Sequence, residues 1–230
     1  MKFVFVIATT KKRNEKLPIR DFLSEVDFPD WTWVESDIAY ENKEGLSKVY
    51  NKAIERHKDA DFICFVHDDW LCNDFKFFDK VYESKFDVIG VVGGLRYSVP
   101  WDWETRPYLW TEAAQGKASG FVLHVLPDGR FLPSSYGPAP SPVVWLDGQC
   151  LILNKKAIEA GLRFDEQFTF DFYDGDLCFS ARKMGLSVGT APILATHQSM
   201  GQGMMGHKEV YLDAQRRFVE KFFKKSEKSA

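Results

Sequence analysis

Asp61-Phe62-Ile63-Cys64-Phe65-Val66-His67-Asp68-Asp69-Trp70 decides the fold class. An unbroken apolar run ends abruptly in a histidine and two carboxylates. A short apolar run bounded by polar residues reads as a strand buried on both faces, and such strands belong to parallel sheets covered by helices. Upstream, Gly45 precedes an amphipathic helix over Leu46 to Ala60. Before it, Trp31-Thr32-Trp33-Val34 reads as a strand that leaves Glu35-Ser36-Asp37 at its carboxyl end. Leu17 to Phe28 reads as a helix, apolar at 19, 22, 23 and 26. The chain opens on a strand over residues 3–8, followed by Thr9-Thr10. Downstream, a helix over Phe75–Tyr82 and a strand over Val88–Val92 continue the alternation. This rhythm predicts an α/β fold, a mainly parallel sheet flanked by helices.

The pattern changes over residues 95–144. Seven of the ten prolines lie there, with Trp101, Trp103 and Trp110. The stretch reads as a loop-rich insert over the carboxyl edge of the sheet, and its aromatic content argues against disorder. Within it, Pro127-Asp128-Gly129 is a hairpin signal. Regular structure resumes with a strand over Val143–Leu153 and a helix over Lys155–Ala160 that Gly161 ends in the left-handed conformation. A helix over Asp174–Met184 with Gly185 behind it, a strand over Ser187–Ile193 and an amphipathic helix over Lys208–Lys225 follow. The expectation is one domain: a nucleotide-binding half (1–94), the insert (95–144), an acceptor and catalytic half (145–207), and a C-terminal helix and tail (208–230).

The 230 residues carry 30 Lys+Arg against 33 Asp+Glu, a net charge of -3. That balance gives no broad electrostatic reason to bind nucleic acid. Cys64, Cys72, Cys150 and Cys178 form no C-x-x-C pair, which speaks against a disulfide scaffold or a structural zinc site. The N-terminal apolar run is shorter than a signal-peptide core, and no stretch is long enough to span a bilayer. A cytoplasmic protein is the expectation. The last helix sets Arg216, Arg217, Lys221, Lys224 and Lys225 beside Phe218, Phe222 and Phe223, which suits either peripheral contact with an anionic membrane or packing on the protein's own core.

Ligands of an open α/β sheet bind outside the carboxyl ends of its strands. Thr9-Thr10, Asp37 and Asp68-Asp69 all fall there. Two adjacent carboxylates repel and so favour a cation, and oxygen ligands of this kind suit Mg²⁺ or Mn²⁺ on a phosphate-bearing substrate. The plainer alternative is a solvated turn. A second cluster, Asp165, Glu166, Asp171, Asp174 and Asp176, sits among aromatics; one of these acids caps a helix or serves as a general base near neutrality. A third piece is Thr196-His197-Gln198 after the apolar Pro192–Ala195, where an imidazole completes a mixed N/O shell. His57, His124 and His207 read as surface or packing residues.

Four passages together resemble the family 2 glycosyltransferases of the GT-A fold: Phe3 to Thr10; Gly45 to Ala53 with Asn51 inside; Phe62 to Trp70; and Trp145 to Asn154 with Phe164 to Gly189. The last is similar to the branch named after a streptomycin-biosynthesis protein. The resemblance spans about Phe3 to Met200. It implies a nucleoside-diphosphate sugar donor, a saccharide or other hydroxyl acceptor, and Mn²⁺ or Mg²⁺. It implies Asp69 and His197 as metal ligands, and Thr9, Asp37, Asn51 and Asp68 around the nucleotide. It puts Asp147 beside the donor sugar and acceptor, Asp174 as the base, and Asp176 in reserve. His67 stands where many members carry an acid. Trp101, Trp103, Trp110 and Tyr136 are the aromatic candidates for stacking on a sugar. Inverting transfer needs no enzyme nucleophile, and no Ser-His or Cys-His arrangement is evident. Rival readings are a nucleotidyltransferase, a non-catalytic sugar-nucleotide-binding module, and a metal-dependent hydrolase of nucleotide sugars.

Overall fold

A computed structural model describes residues 1–96, 117–126, 128–198 and 208–223. Trp101, Trp103 and Trp110 lie outside the described residues. In chain order the elements are β1 (Lys2–Ala8), α1 (Pro18–Glu25), β2 (Trp33–Ala39), α2 (Leu46–Arg56), β3 (Phe62–Val66), β4 (Trp70–Cys72), α3 (Phe77–Tyr82), β5 (Val88–Gly90) and β6 (Val92–Gly94). Then follow β7 (Ala118–Val125), β8 (Phe131–Gly137), β9 (Ser141–Pro142), β10 (Trp145–Leu146), β11 (Cys150–Asn154), α4 (Lys155–Glu159), α5 (Tyr173–Lys183), β12 (Val188–Thr190), β13 (Ala195–His197) and α6 (Lys208–Phe222).

The main sheet runs β2-β1-β3-β11-β5-β12-β9. β1 pairs in parallel with both β2 and β3, and β5 with β12, while β11 runs antiparallel to β3 and β5. β1 and β3 are buried on both faces because alternate side chains serve two cores. Phe3, Phe5 and Ile7 meet α1 and α3 residues such as Phe22, Phe77 and Phe78. Val4 and Val6 pack toward α2, α5 and α6, with Tyr50, Phe168, Phe179 and Phe218. The helix-flanked α/β architecture expected from the sequence is the one observed.

A second, smaller sheet runs β10-β6-β7-β13-β4, with β8 on β7. Its existence corrects two strand expectations. Val88–Val92 divides into β5 in the main sheet and β6 in the second; Val143–Leu153 divides into β10 and β11 in the same way. Gly94 permits the close approach at that crossing, since a Cβ there would overlap the Trp145 indole. Part of the 95–144 stretch is regular as well: β7 and β8 pair antiparallel on either side of Asp128-Gly129, with a bulge at Gly120, whose φ is +111°. Gly161 and Gly185 take positive φ behind their helices, as expected.

The connections that pass between the sheets include β3 to β4, β5 to β6, β10 to β11, and β12 to β13. The first carries His67, Asp68 and Asp69, and the third carries Asp147, Gly148 and Gln149. The seam between the two sheets is therefore where chemistry-bearing side chains gather.

Candidate functional site

β3 is pinned between β1 and β11, so its exit is fixed. The His67 N–H donates to the Gln149 carbonyl at 3.1 Å, and the Trp70 N–H turns back to the His67 carbonyl at 3.2 Å. Across the seam, the Gln198 N–H donates to the Asp69 carbonyl at 3.0 Å, tying the end of β13 to the same turn. These bonds bring His67, Asp69 and His197 together, with one ligand atom of each within 4.8 Å of the others. His197 Nε2 stands 3.2 Å from Asp69 Oδ1 yet lacks the alignment of a hydrogen bond, and is left without a hydrogen-bond partner. Burial works to lower the His197 pKa, but Asp69 and Asp147 outweigh it and raise it. Burial works to raise Asp69, and the two histidines outweigh it and hold the carboxylate low. His67 is kept low by its burial and by the neighbouring His197.

Asp68 turns away from this cluster. Its Oδ2 accepts from Thr9 Oγ1 at 2.5 Å, with Lys11 Nζ 3.9 Å away. Thr9, Asp68 and Gly45 line an open cleft of about 580 Å³ together with Thr10, Asn42 and Thr169. That size suits a nucleotide-like ligand. The cleft lies at the carboxyl ends of β1 and β3 and at the start of α2, whose Gly45 N-cap offers no capping side chain. A Cβ on Gly45 would stand 2.8 Å from Thr169 Cβ, so the close approach of this wall requires glycine.

α5 delivers the third component. Phe172, buried and with φ +65°, sits in the left-handed region immediately before it. A non-glycine residue there costs on the order of 1–3 kcal/mol, and such strain gathers at functional sites. This corner places Tyr173 and Asp174 against the 147–149 connection. Asp174 accepts from the Gly148 N–H at 2.9 Å and the Gly175 N–H at 2.7 Å. Burial and then the charge of Asp147 push the Asp174 pKa from 3.8 to about 7. Tyr173 donates to the Gly148 carbonyl at 2.8 Å and meets His67 Nε2 at 2.7 Å. Gly148 thus links the carboxylate to the histidine cluster.

Not every expected site residue converges here. Asp37 lies within β2 instead of beyond its end, and its Oδ2 is held by Arg56 and His57 at 2.6 and 3.0 Å. Asn51 clamps α2 to the segment between α4 and α5 through the backbone N–H and carbonyl of Phe164, at 3.0 and 2.9 Å. Asp176 is fully buried on the opposite side of α5 from Asp174, paired with Lys221 of α6 at 2.6 Å. Asp147 accepts from the Gln149 N–H at 2.8 Å, and its charge bears on Asp174, His67 and His197. Tyr136 of β8 lies near His124, at 3.4 Å, and the His124 ring is 6.1 Å from that of His197. Phe218 of α6 is buried against Phe168, Phe172 and Phe179, so the core takes that helix's aromatic face. No helix among the described residues is long and apolar enough to cross a membrane.

Sequence reading missed His67 as a member of the cluster and Tyr173 as its support. The signal was the two-residue spacing of His67 and Asp69, which lets both meet on one side while Asp68 faces Thr9. Nothing in the sequence alone revealed that Tyr173 reaches back across the seam.

No protein-family model matches the chain, and comparison with curated proteins finds no match. Solved structures do match. A197 from STIV is 15% identical, aligned over 86% of each chain, with a TM-score of 0.50. The catalytic domain of Drosophila β1,4-galactosyltransferase 7 in complex with xylobiose is 12% identical over 88% of this chain and 72% of that one, with a TM-score of 0.49. The mannosyltransferase PcManGT from Pyrobaculum calidifontis, in complex with GDP-Man and Mn²⁺, is 14% identical at a TM-score of 0.48; the match takes in 84% of this chain and 56% of that one. At such identities the likeness to A197 from STIV is one of fold.

Proposed function

We propose that this protein is a glycosyltransferase of GT-A type that moves a sugar from a nucleoside-diphosphate sugar to an acceptor hydroxyl, with metal assistance and inversion of configuration. The observation that carries the reading is the separation of two tasks along one seam. A cation-type cluster at the end of β3 adjoins a nucleotide-sized cleft, and a carboxylate poised near neutrality begins α5. The four sequence passages that resemble family 2 enzymes contribute these same elements.

In this reading the nucleotide lies in the cleft beside Thr9, Asp68 and Lys11. His67, Asp69 and His197 fit a divalent ion because their ligand atoms converge and the buried His197 Nε2, 3.2 Å from Asp69 Oδ1, has no aligned hydrogen bond. Such an ion supplies charge stabilisation to the departing diphosphate. Asp174 takes the proton of the acceptor hydroxyl as that oxygen bonds to the anomeric carbon and the bond to the diphosphate breaks. Asp147 keeps Asp174 basic by its own charge. Tyr136 and His124 flank the same seam from the second sheet and form the wall on the acceptor side. Asp37, Asn51 and Asp176 have partners within the fold and take no part in the step.

The test is a thermal-shift screen of nucleoside diphosphates and their sugars, with and without Mn²⁺. A ligand at 100 times its Kd adds about 2.7 kcal/mol of stability. One nucleotide should give a large shift with metal, and Asp69→Ala should lose the metal-dependent part. Absence of any shift overturns the donor site. NMR of the product's anomeric centre then tests inversion, which a retained configuration overturns.

A further inference from the structure

We propose that the seam cluster is a transition-metal site with two imidazoles and one carboxylate, in which His67 binds through Nδ1 and Tyr173 fixes its tautomer, so that the site takes Mn²⁺, Co²⁺ or Zn²⁺ in preference to Mg²⁺. The inference deepens the transferase reading and rests on it for the ion's purpose, though not for the ligand geometry.

The tautomer follows from hydrogen-bond accounting. Tyr173 has one hydroxyl hydrogen, and it donates that to the Gly148 carbonyl, which can only accept. The 2.7 Å contact between the same hydroxyl and His67 Nε2 therefore needs the hydrogen on Nε2. The Nδ1 lone pair is left free for a ligand. A metal-binding histidine oriented by a bond from its other nitrogen is the usual supporting arrangement at such sites.

The second observation is His197. Only 9% of its surface is exposed, and its Nε2 has no hydrogen-bond partner although Asp69 Oδ1 lies 3.2 Å away. Two ligands sharing an ion at about 2.1 Å and a right angle stand about 3 Å apart, which matches this spacing. Mg²⁺ demands hard oxygen ligands, whereas imidazole favours first-row transition ions in the order Mn²⁺ below Co²⁺ below Zn²⁺. With Asp68 turned to Thr9, one carboxylate remains in the set. The donor set is nitrogen-rich, and Mg²⁺ is the ion it serves worst.

The test titrates Mg²⁺, Mn²⁺, Co²⁺ and Zn²⁺ into the full chain without nucleotide, by calorimetry and by the visible absorption of bound Co²⁺. Mn²⁺ is expected to bind at least about tenfold more tightly than Mg²⁺, with Co²⁺ and Zn²⁺ tighter still. His67→Ala should lower Co²⁺ affinity about 100-fold or more, and Tyr173→Phe, which keeps the ring, by about 10- to 100-fold. His67→Asp should bind Mg²⁺ again, which shows that a failing His67→Ala is not merely misfolded. Equal affinity for Mg²⁺ and Mn²⁺, or unchanged Co²⁺ affinity in His67→Ala, overturns the inference. Failure to bind any ion also overturns it, while nucleotide binding without metal would leave the donor cleft standing. A chain that binds Co²⁺ through His67 but no nucleotide upholds the inference and removes the transferase reading.

Discussion

Asp174→Asn is expected to lower sugar transfer by about 10²- to 10⁴-fold and at the same time to make the protein more resistant to heat at pH 8. The rate loss is the usual cost of removing a positioned general base. The stability gain comes from the environment that prepares that base. Burial and the charge of Asp147 raise the carboxyl from 3.8 to about 7 in the folded chain. Folding therefore prefers the protonated form, and that stabilisation is complete below pH 3.8 and lost as pH climbs through 7. At pH 8 the native protein holds an unwelcome charge, whereas asparagine holds none. Its amide can still accept from one of the Gly148 and Gly175 N–H groups, which offsets part of the gain. Melting curves at pH 5 and pH 8 separate the contributions, since the advantage of the variant should grow with pH. The rate of the native enzyme should rise with pH through about 7. A variant that transfers sugar at more than a tenth of the native rate, or melts no higher relative to native at pH 8 than at pH 5, removes Asp174 from the base role.

Lys221→Met is expected to destabilise the protein by about 3 kcal/mol without touching the site. Lys221 Nζ lies 2.7 Å from Asp165 and 2.6 Å from Asp176, and joins α6 to α5. Asp176 is completely buried, and its second oxygen has no hydrogen-bond partner. Taking away one partner of a buried ion pair leaves an uncompensated charge, at a typical cost of about 3–5 kcal/mol. The lower end applies because Lys221 is itself part-exposed and because burial already raises the Asp176 pKa, which lets it take up a proton. For a chain of this size the change corresponds to a fall in Tm of about 10 °C. Adding Asp176→Asn should recover much of the loss, since the orphaned charge is then gone. If Lys221→Met melts within about 2 °C of native, the clamp contributes nothing, and α6 is held by Phe218 and its aromatic neighbours alone.

The N-terminal half was legible because its strands are apolar on both faces and its helices carry a clear stripe. What escaped was the second sheet. Residues 88–92 and 143–153 each read as one element, since apolar residues dominate both runs and hydropathy cannot register a change of partner. Gly93-Gly94 behind the first run and Asp147-Gly148 in the second mark that change locally. Among the acids, Asp174 and Asp176 stand two apart on one helix, and composition does not tell them apart. Their opposite environments come from the 147–149 connection on one side and α6 on the other, both distant in sequence. Asp37 was misplaced for a simpler reason: β2 begins two residues later than expected and continues past it to Ala39. Asp69 and His197 were readable because each ends an apolar run, and His67 was passed over because an acid was sought in its place.

The seam has a mechanical side. His67 leaves the last turn of the main sheet, whereas His197 belongs to the second. The backbone already ties the two at that point through the Gln198 N–H to Asp69 carbonyl bond, and whatever both imidazoles grip adds a side-chain rivet to it. β13 pairs with β7 and β7 with β8, so a grip on His197 bears directly on the strands that carry His124 and Tyr136.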